Sequence, residues 1–481
     1  MKGKRGAATV AGIVLGAMLC GPALAWDAMN TLSTPIEDPL LTRPPVLDIG
    51  TVLPGDSAPA PCSDMDVEGS PLSLTEAVDV ALCHNPQVQS AWAAIKVQAA
   101  ALGESRAAYL PTVTLSASRM DDRTWYPNYP APSTNVQAGT LYGTLSWRLF
   151  DFGARKENSR AATALLDAAL ANHDAVLQKT LAGVIQAYFD AQTTQAAWAA
   201  RQTNEALARQ TLAAAQRRES RGAGAQTDTL QAATALAKAT LDQSRAQGAY
   251  QKALSVLVYA LGVPAQTRLS LTEDLVDPSD GLRQDLDAWL EQAQAQHPAI
   301  VAARAQLAAA QAKVVATQAE GLPTIDLTGS YYQNGRPNQS LATINTRETL
   351  VGVTLTIPLF EGFARTYKVR GAQAQVEQRE ADLQDTESQL LMELVKTHAD
   401  ALAALDNLQA SQRLLQAAQA ALQSVQRKFD KGAADILDIL STQAALSDAQ
   451  QERIRDLAEW RSARLRLLAD AGMLGHQGLG P

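Results

Sequence analysis

Residues 110–118 read LPTVTLSAS and residues 322–330 read LPTIDLTGS, nearly the same phrase 212 positions later. Each follows an alanine-rich stretch of helical composition and then turns to alternation. In the first, Val113, Leu115 and Ala117 share one face against Thr112, Thr114 and Ser116; the second presents Ile325 and Leu327. A partner stretch follows each. GTLYGTLSWRLF sets Leu141, Leu145, Trp147 and Leu149 against Thr140, Thr144, Ser146 and Arg148. Its counterpart shows Val351, Val353, Leu355, Ile357 and Leu359. Strict alternation over about 10 residues is the pattern and length of a transmembrane β-strand. Strands are therefore expected at 112–120, 139–150, 324–332 and 349–360. The connecting loops, DDRTWYPNYPAPSTN and QNGRPNQSLATINTR, are polar. Trp125, Tyr126, Tyr129, Tyr331 and Tyr332 stand where an interfacial aromatic girdle would lie.

The repetition extends beyond these phrases. Asn85-Pro86 matches His297-Pro298 at an offset of 212, while Leu149-Phe150-Asp151 matches Leu359-Phe360-Glu361 at 210. Arg221-Gly222 with Lys431-Gly432, Asp228 with Asp438, and Gly262 with Gly472 keep the 210 offset. Landmarks in constant order at nearly constant spacing mark an internal duplication, with a period far too long for a solenoid. The two-residue slip falls between the strands, where a loop absorbs it. Repeat 1 spans 72–264 and repeat 2 spans 285–474, with a linker at 265–284 and a tail at 475–481. Each runs helix, strand, loop, strand, very long helix, tight turn, helix. LSLTEAVDVALCHNP opens the first helix with Ser73 or Thr75 as its cap.

The long helices are expected at 153–221 and 363–431, each free of proline, followed by helices at 227–262 and 435–472. At 1.5 Å per residue such a rod is roughly 100 Å long and must pack lengthwise against other helices. Leu394, Ala401, Leu408, Leu415, Leu422 and Phe429 recur every seven residues. The adjacent row, Thr397, Ala404, Ser411, Ala418 and Val425, is mostly small, which suits a wall one helix thick.

The N-terminus reads as an export signal over 1–25: Lys2, Lys4 and Arg5, a short apolar core, then Ala23-Leu24-Ala25 as the cleavage site. Lipidation at Cys20 is the weaker alternative, because bulky Met18-Leu19 precede it. Residues 26–71, rich in Pro, Asp and Ser, read as an extended arm. Losing three positive charges moves the net charge from −8 to −11, which argues against a nucleic-acid partner. No run of 18 apolar residues follows, so membrane insertion would have to be by strands. Cys62 and Cys83 remain after cleavage; in an oxidising compartment a disulfide between them is favoured over two isolated thiols.

Four strands cannot close a barrel, and an open edge cannot exist in lipid, where every backbone N–H and C=O must be paired. Further strands must come from other copies. Two copies give eight strands around a packed lumen; three give twelve, enough for an open channel.

Taken together, LPTVTLSAS and LPTIDLTGS, the LFDFGAR and LFEGFAR junctions, and the turns RGAGAQTDTLQA and KGAADILDILSTQ resemble the TolC family of outer-membrane efflux proteins. The resemblance covers Leu72 to Leu474. It implies an α+β, mainly α fold: a homotrimer whose twelve-stranded outer-membrane β-barrel continues as a periplasmic α-helical coiled-coil tunnel, four strands per protomer. It also implies a periplasmic adaptor (membrane fusion protein) and an inner-membrane ABC or other transporter as partners, with outer-membrane lipid around the barrel. ALCHNPQVQSAW and the unlipidated start look like the type I secretion branch, which exports polypeptides. Multidrug efflux is the alternative function, and a periplasmic structural or adaptor protein a lower one.

No catalytic constellation is visible. His84, His173, His297, His398 and His476 are scattered without ligand spacing, and RGAGAQTD follows a helix and lacks a phosphate-loop lysine. No enzyme activity, cofactor or metal is expected. The candidate residues lie at the two helix turns and the helix-to-strand junctions. Asp435 suits a helix cap. By resemblance Asp438 lines the tunnel constriction, with Asp228 at the equivalent position of repeat 1. Ser441 stands where the family often has a second acid. Some members hold the entrance shut with a Tyr and an Arg, and these match Phe429 and Ala434, which cannot make those bonds. The expectation is a lock of Arg217, Arg218, Arg221 and Lys431 with Asp228, Asp430 and Asp435. Thr227, Gly222 and Gly432 belong to the same gate and adaptor-contact turns. Pro111, Pro323, Phe150 and Phe360 mark the passage from helix to strand.

Overall fold

The computed structural model describes residues 39–41, 71–125, 127, 134–272, 285–336, 345–472 and 474. The signal segment, most of the arm and the linker, together with Tyr126, Tyr129 and Cys62, lie outside them. Among the described residues are eight helices and four strands: α1 (Leu74–His84), α2 (Pro86–Ala107), β1 (Thr112–Thr124), β2 (Thr134–Phe150), α3 (Ala154–Ser220), α4 (Gln226–Leu261), α5 (Leu286–Gln296), α6 (Pro298–Ala319), β3 (Thr324–Gln333), β4 (Arg347–Thr356), α7 (Ala364–Asp430) and α8 (Ile436–Asp470).

The helix expected at the start of each repeat is two helices. Asn85 ends α1 and accepts a hydrogen bond from Gln87 N at 2.8 Å, with Pro86 as the first residue of α2. His297 does the same between α5 and α6, its Nδ1 accepting from Ala299 N at 3.2 Å. Proline has no N–H for the preceding turn and is tolerated only at a helix start, so each X-Pro pair forces the break. Glycines at the ends of α4 and α8 pack onto these breaks. A Cβ on Gly262, φ +74°, would stand 2.5 Å from the His84 carbonyl oxygen; on Gly472, φ +72°, it would meet Pro298 Cδ at 3.0 Å.

The strands form one antiparallel sheet in the order β1-β2-β3-β4. Its register sorts the two faces. Val113, Leu145, Gly329 and Val351 fall in one cross-strand row, and Trp147, Leu327 and Val353 in another on the same side. Rows on the opposite side are polar: Thr112, Ser146 and Thr328; Ser116, Tyr142, Tyr332 and Glu348. Arg148 pairs with Asp326 at 2.9 Å on that polar face. An exposed apolar face backed by a polar one is the pattern of a membrane barrel.

Several boundaries differ from expectation. β1 and β2 run on through Asp121–Thr124 and Thr134–Ala138, because the two strands keep pairing past the apolar band. β4 stops at Thr356 rather than 360, because its partner β3 begins at Thr324, after Pro323. The girdle reading also needs correction. Tyr331 and Tyr332 are consecutive and must point to opposite faces; Tyr332 faces the polar side, its ring 5.8 Å from Tyr142. Trp125 follows the last paired residue of β1, Thr124, beyond Arg119, Asp121 and Arg123.

Helices continue the sheet as a single layer. Near the strands the order is α2, α3, α6, α7; farther away it is α4, α3, α8, α7. The seven-residue row of α7 is its buried seam: Leu394, Ala401, Leu408 and Leu422 are buried, as are Thr397, Ala404, Ser411 and Ala418 alongside. By length and hydropathy the stretch Leu286–Ala319 could be taken for a membrane span. It is α5 and α6, broken at His297-Pro298, and Arg304 and Lys313 tie it to Glu387 and Asn158 of the wall. The main core sits midway, where α1 packs on α3 and α4 around Val78, Leu181, Tyr188 and Leu257. Cys83 of α1 is disulfide-bonded.

Candidate functional site

The two turns far from the strands are built alike. In the first, Gly222 takes φ +72° and the Ala223 N–H returns to the Arg218 carbonyl at 2.9 Å. In the second, Gly432 takes φ +76° and Ala433 N–H returns to the Lys428 carbonyl at 2.8 Å. A residue without Cβ is needed where φ is positive. The following helices start differently. Asp435 caps α8, accepting from Asp438 N at 2.9 Å, while the Asp438 carboxylate accepts from Asp435 N at 3.3 Å. Asp438 thus shares the cap. α4 begins on Ala225 with no side-chain cap, and the Asp228 carboxylate accepts no hydrogen bond among the described residues.

Both turns line one cleft of about 450 Å³ that gathers Arg218, Asp228, Phe429, Asp435 and Asp438. Ser441 turns back on its own helix, donating to the Asp438 carbonyl at 3.0 Å. Thr227, Arg221 and Lys431 are exposed. Among the described residues, Arg217, Arg218, Arg221 and Lys431 form no ion pair with Asp228 or Asp435. The Asp430 side chain is outside the described set. The link that is formed is apolar and cationic: the Arg218 guanidinium lies 4.7 Å from the centre of the Phe429 ring. It joins the end of α3 to the end of α7, and such a contact at an exposed site contributes about 0.5–1 kcal/mol.

The seams above this cleft differ in chemistry. Between α7 and α8 the contacts are mainly apolar, with Ala404, Leu408 and Trp460 in one cluster and Ala418, Leu422, Leu446 and Ala449 in the next, and Arg453 donates to the Leu408 carbonyl at 2.7 Å. Between α3 and α8 they are largely hydrogen bonds. Arg201 and Asn204 both donate to Ser447 Oγ, at 2.7 and 2.9 Å, Gln443 donates to Thr211 at 2.8 Å, and Ser462 to Gln186 at 2.6 Å.

At the junctions, α2 and α6 stop three residues short of the Leu-Pro pairs that contain Pro111 and Pro323, since the residue before proline avoids helical angles. Phe150 closes β2 with its ring 4.8 Å from Phe152, and Phe360, past the end of β4, lies 5.4 Å from Phe363. The residues that secure these turns, Arg155 and Arg365, carry no role in the sequence reading. Arg155 donates to Asp151 at 2.8 Å and to the carbonyls of Arg148, Leu149 and Ala108, and stacks on Tyr109. Asp151 in turn accepts from the N–H groups of Gly153 and Arg155. Arg365 pairs with Glu361 and donates to the Gly321 carbonyl at 2.8 Å. The signal was the arginine that closes both LFDFGAR and LFEGFAR.

The family described as outer membrane efflux protein matches twice, over residues 77–263 and 289–473. The chain belongs to this family, and its place is the outer membrane, with the helical layer reaching into the periplasm. Protein CyaE of Bordetella pertussis is 37% identical over 438 residues, 90% of each chain. Nodulation protein T of Rhizobium leguminosarum bv. trifolii is 27% identical over 400 residues, 80% of this chain and 82% of that one. Among solved structures, the outer-membrane channel OprN superposes with a TM-score of 0.73 at 21% identity, covering 87% of this chain and 99% of that one.

Proposed function

We propose that the chain is the outer-membrane channel-tunnel of a tripartite exporter, a homotrimer that passes a polypeptide through the outer membrane by type I secretion. The observation that carries the channel is the sheet: apolar on one face, polar on the other, with β1 and β4 unpaired at its edges. In lipid those edges require partners. The helical layer repeats the arrangement, with α7 at one border and α2 or α4 at the other. A border of repeat 1 therefore meets a border of repeat 2 in the next copy, a head-to-tail contact that closes as a ring. Three copies supply twelve strands. Likeness to CyaE, together with that to Alkaline protease secretion protein AprF of Pseudomonas aeruginosa, 24% identical over 187 residues, supports the secretion branch.

The turns are the site for the periplasmic adaptor, with an inner-membrane transporter behind it. Three copies of Asp228, Asp435 and Asp438 ring the narrow end and favour cations over anions there. The Arg218–Phe429 contact is the latch, weak enough for a partner to open. Arg218→Gln should raise the conductance of single channels in planar bilayers, whereas Arg221→Ala should leave it unchanged. Equal conductance in wild type and Arg218→Gln removes the latch. Gene deletion tests the function: loss of one secreted polypeptide is expected, and a general rise in drug sensitivity instead marks small-molecule efflux.

A further inference from the structure

The apolar face of the sheet ends in a row of charge. On β1 the positions that follow Val113, Leu115 and Ala117 on the same face are Arg119, Asp121 and Arg123, in unbroken register with β2. On β4, Arg347 belongs to that face too, in the cross-strand row of Ala117, Leu141 and Gln333. From Leu149 to Leu141 the apolar positions of β2 span eight residue-to-residue steps. At about 3.4 Å each and a tilt near 40°, that is a band roughly 20 Å high. Arg119 and Arg347 fall at its far rim. The tunnel helices leave from the opposite end, so this rim belongs to the outer leaflet.

Three guanidinium groups against one carboxylate leave a positive excess on this rim, in a chain whose formal net charge is −8. Arg123 holds Asp121 at 3.4 Å, with both side chains largely in solvent, so the pair is weak. Arg119 and Arg347 are exposed and form no ion pair among the described residues. Opposite Arg119 is Gly139, where even a Cβ would meet nothing within 4 Å. The acids at this level, Asp122 and Glu348, sit on the polar face instead. In a closed barrel, β4 of one copy adjoins β1 of the next, which brings Arg347 to the same border as Arg119.

We propose that Arg119, Arg123 and Arg347 bind the phosphate groups of the phosphorylated glycolipid of the outer leaflet, across the border between copies. Guanidinium matches phosphate in planar, bidentate geometry and is weakly hydrated, so it suits a headgroup boundary. The apolar band below would hold the acyl chains of the same lipid, which continues one interface from hydrocarbon to headgroup. The inference rests on the barrel reading above.

The test uses the full-length trimer in detergent and follows its heat dissociation. Added lipopolysaccharide should raise the midpoint by about 5 °C. Lipopolysaccharide stripped of its lipid phosphates should do so far less, and inorganic phosphate at equal concentration not at all. The R119Q/R347Q variant should respond less than half as strongly, with unchanged single-channel conductance. The inference is overturned if the phosphate-free glycolipid stabilises the wild type equally, if inorganic phosphate alone suffices, or if the variant responds like wild type. A wild-type trimer in the outer membrane that ignores the glycolipid sinks this inference and leaves the channel standing. A wild-type chain that forms no such trimer sinks both.

Discussion

The two longest helices, α3 and α7, have 67 residues each and follow the same sequence plan, yet they are buried in opposite halves. In α3 the half near the strands carries much of the core, including Leu166, Leu177, Leu181 and Ile185, which continues to Tyr188 and Phe189 at its middle. In α7, only Ala372 is buried between Ala364 and Glu393, and the buried seam begins at Leu394. The cause is position. Near the strands α3 lies between α2 and α6, while α7 has α6 on one side and nothing of its own chain on the other. The paired short helices diverge in the same way: α1 sits in the large central core, whereas α5 buries Trp289 and Ala293 in a small one. A duplication therefore makes equivalent parts, but a single protomer gives them unequal surroundings.

Substitutions at matched positions of the two repeats test this asymmetry. Gly262→Ala should do the most damage, because its Cβ would press on a backbone oxygen in the central core and the residue would keep a left-handed conformation. About 3–4 kcal/mol is expected, against about 2 kcal/mol for Gly472→Ala, whose nearest neighbour is a proline side chain. Heat denaturation ranks the two, and equal losses would contradict the unequal cores. Next comes the junction arginine. Arg155→Ala leaves Asp151 without its buried partner and frees three carbonyls, for about 3 kcal/mol; Arg365→Ala, at a side chain 32% exposed against 13% for Arg155, should cost about 1 kcal/mol. Denaturant titration separates them, and a larger loss at Arg365 would break the comparison.

The smallest effect concerns the caps. Burial holds His297 neutral, with its pKa down at about 4 against an ordinary 6.5. As pH falls, the unfolded chain takes up the proton first, so stability is lost between about 6.5 and 4 and is level below that. His297→Asn copies the Asn85 cap of repeat 1 and has no proton to gain. The variant should gain on wild type by about 1 kcal/mol near pH 5.7 and match it at pH 7; parallel pH profiles would show that the cap does not titrate.

Much of the element plan was legible because its signals are local. Period-two alternation needs only the pleat, the seven-residue row needs only the helix pitch, and Gly222 and Gly432 mark turns by their missing Cβ. The misreadings share one cause. Where β1 and β2 outrun the apolar band, and where β4 stops early, the limit is set by a partner strand rather than by the residues themselves. The break at Asn85-Pro86 was visible as a landmark, but its consequence, a second helix capped by the residue before proline, was not drawn from it. The turns show the same limit: charge counting points to Arg217, Arg218, Arg221 and Lys431 with Asp228, Asp430 and Asp435, while the contact seen across the turns is Arg218 on the ring of Phe429.

By itself the sequence determined the duplication, the kinds of element and the two-faced strands, since each depends on residues close together in the chain. Tertiary structure alone decided which helix half is covered, which arginine is sequestered and which edges remain open. Those depend on what lies beside a residue in space, and two copies of one sequence pattern can receive different neighbours.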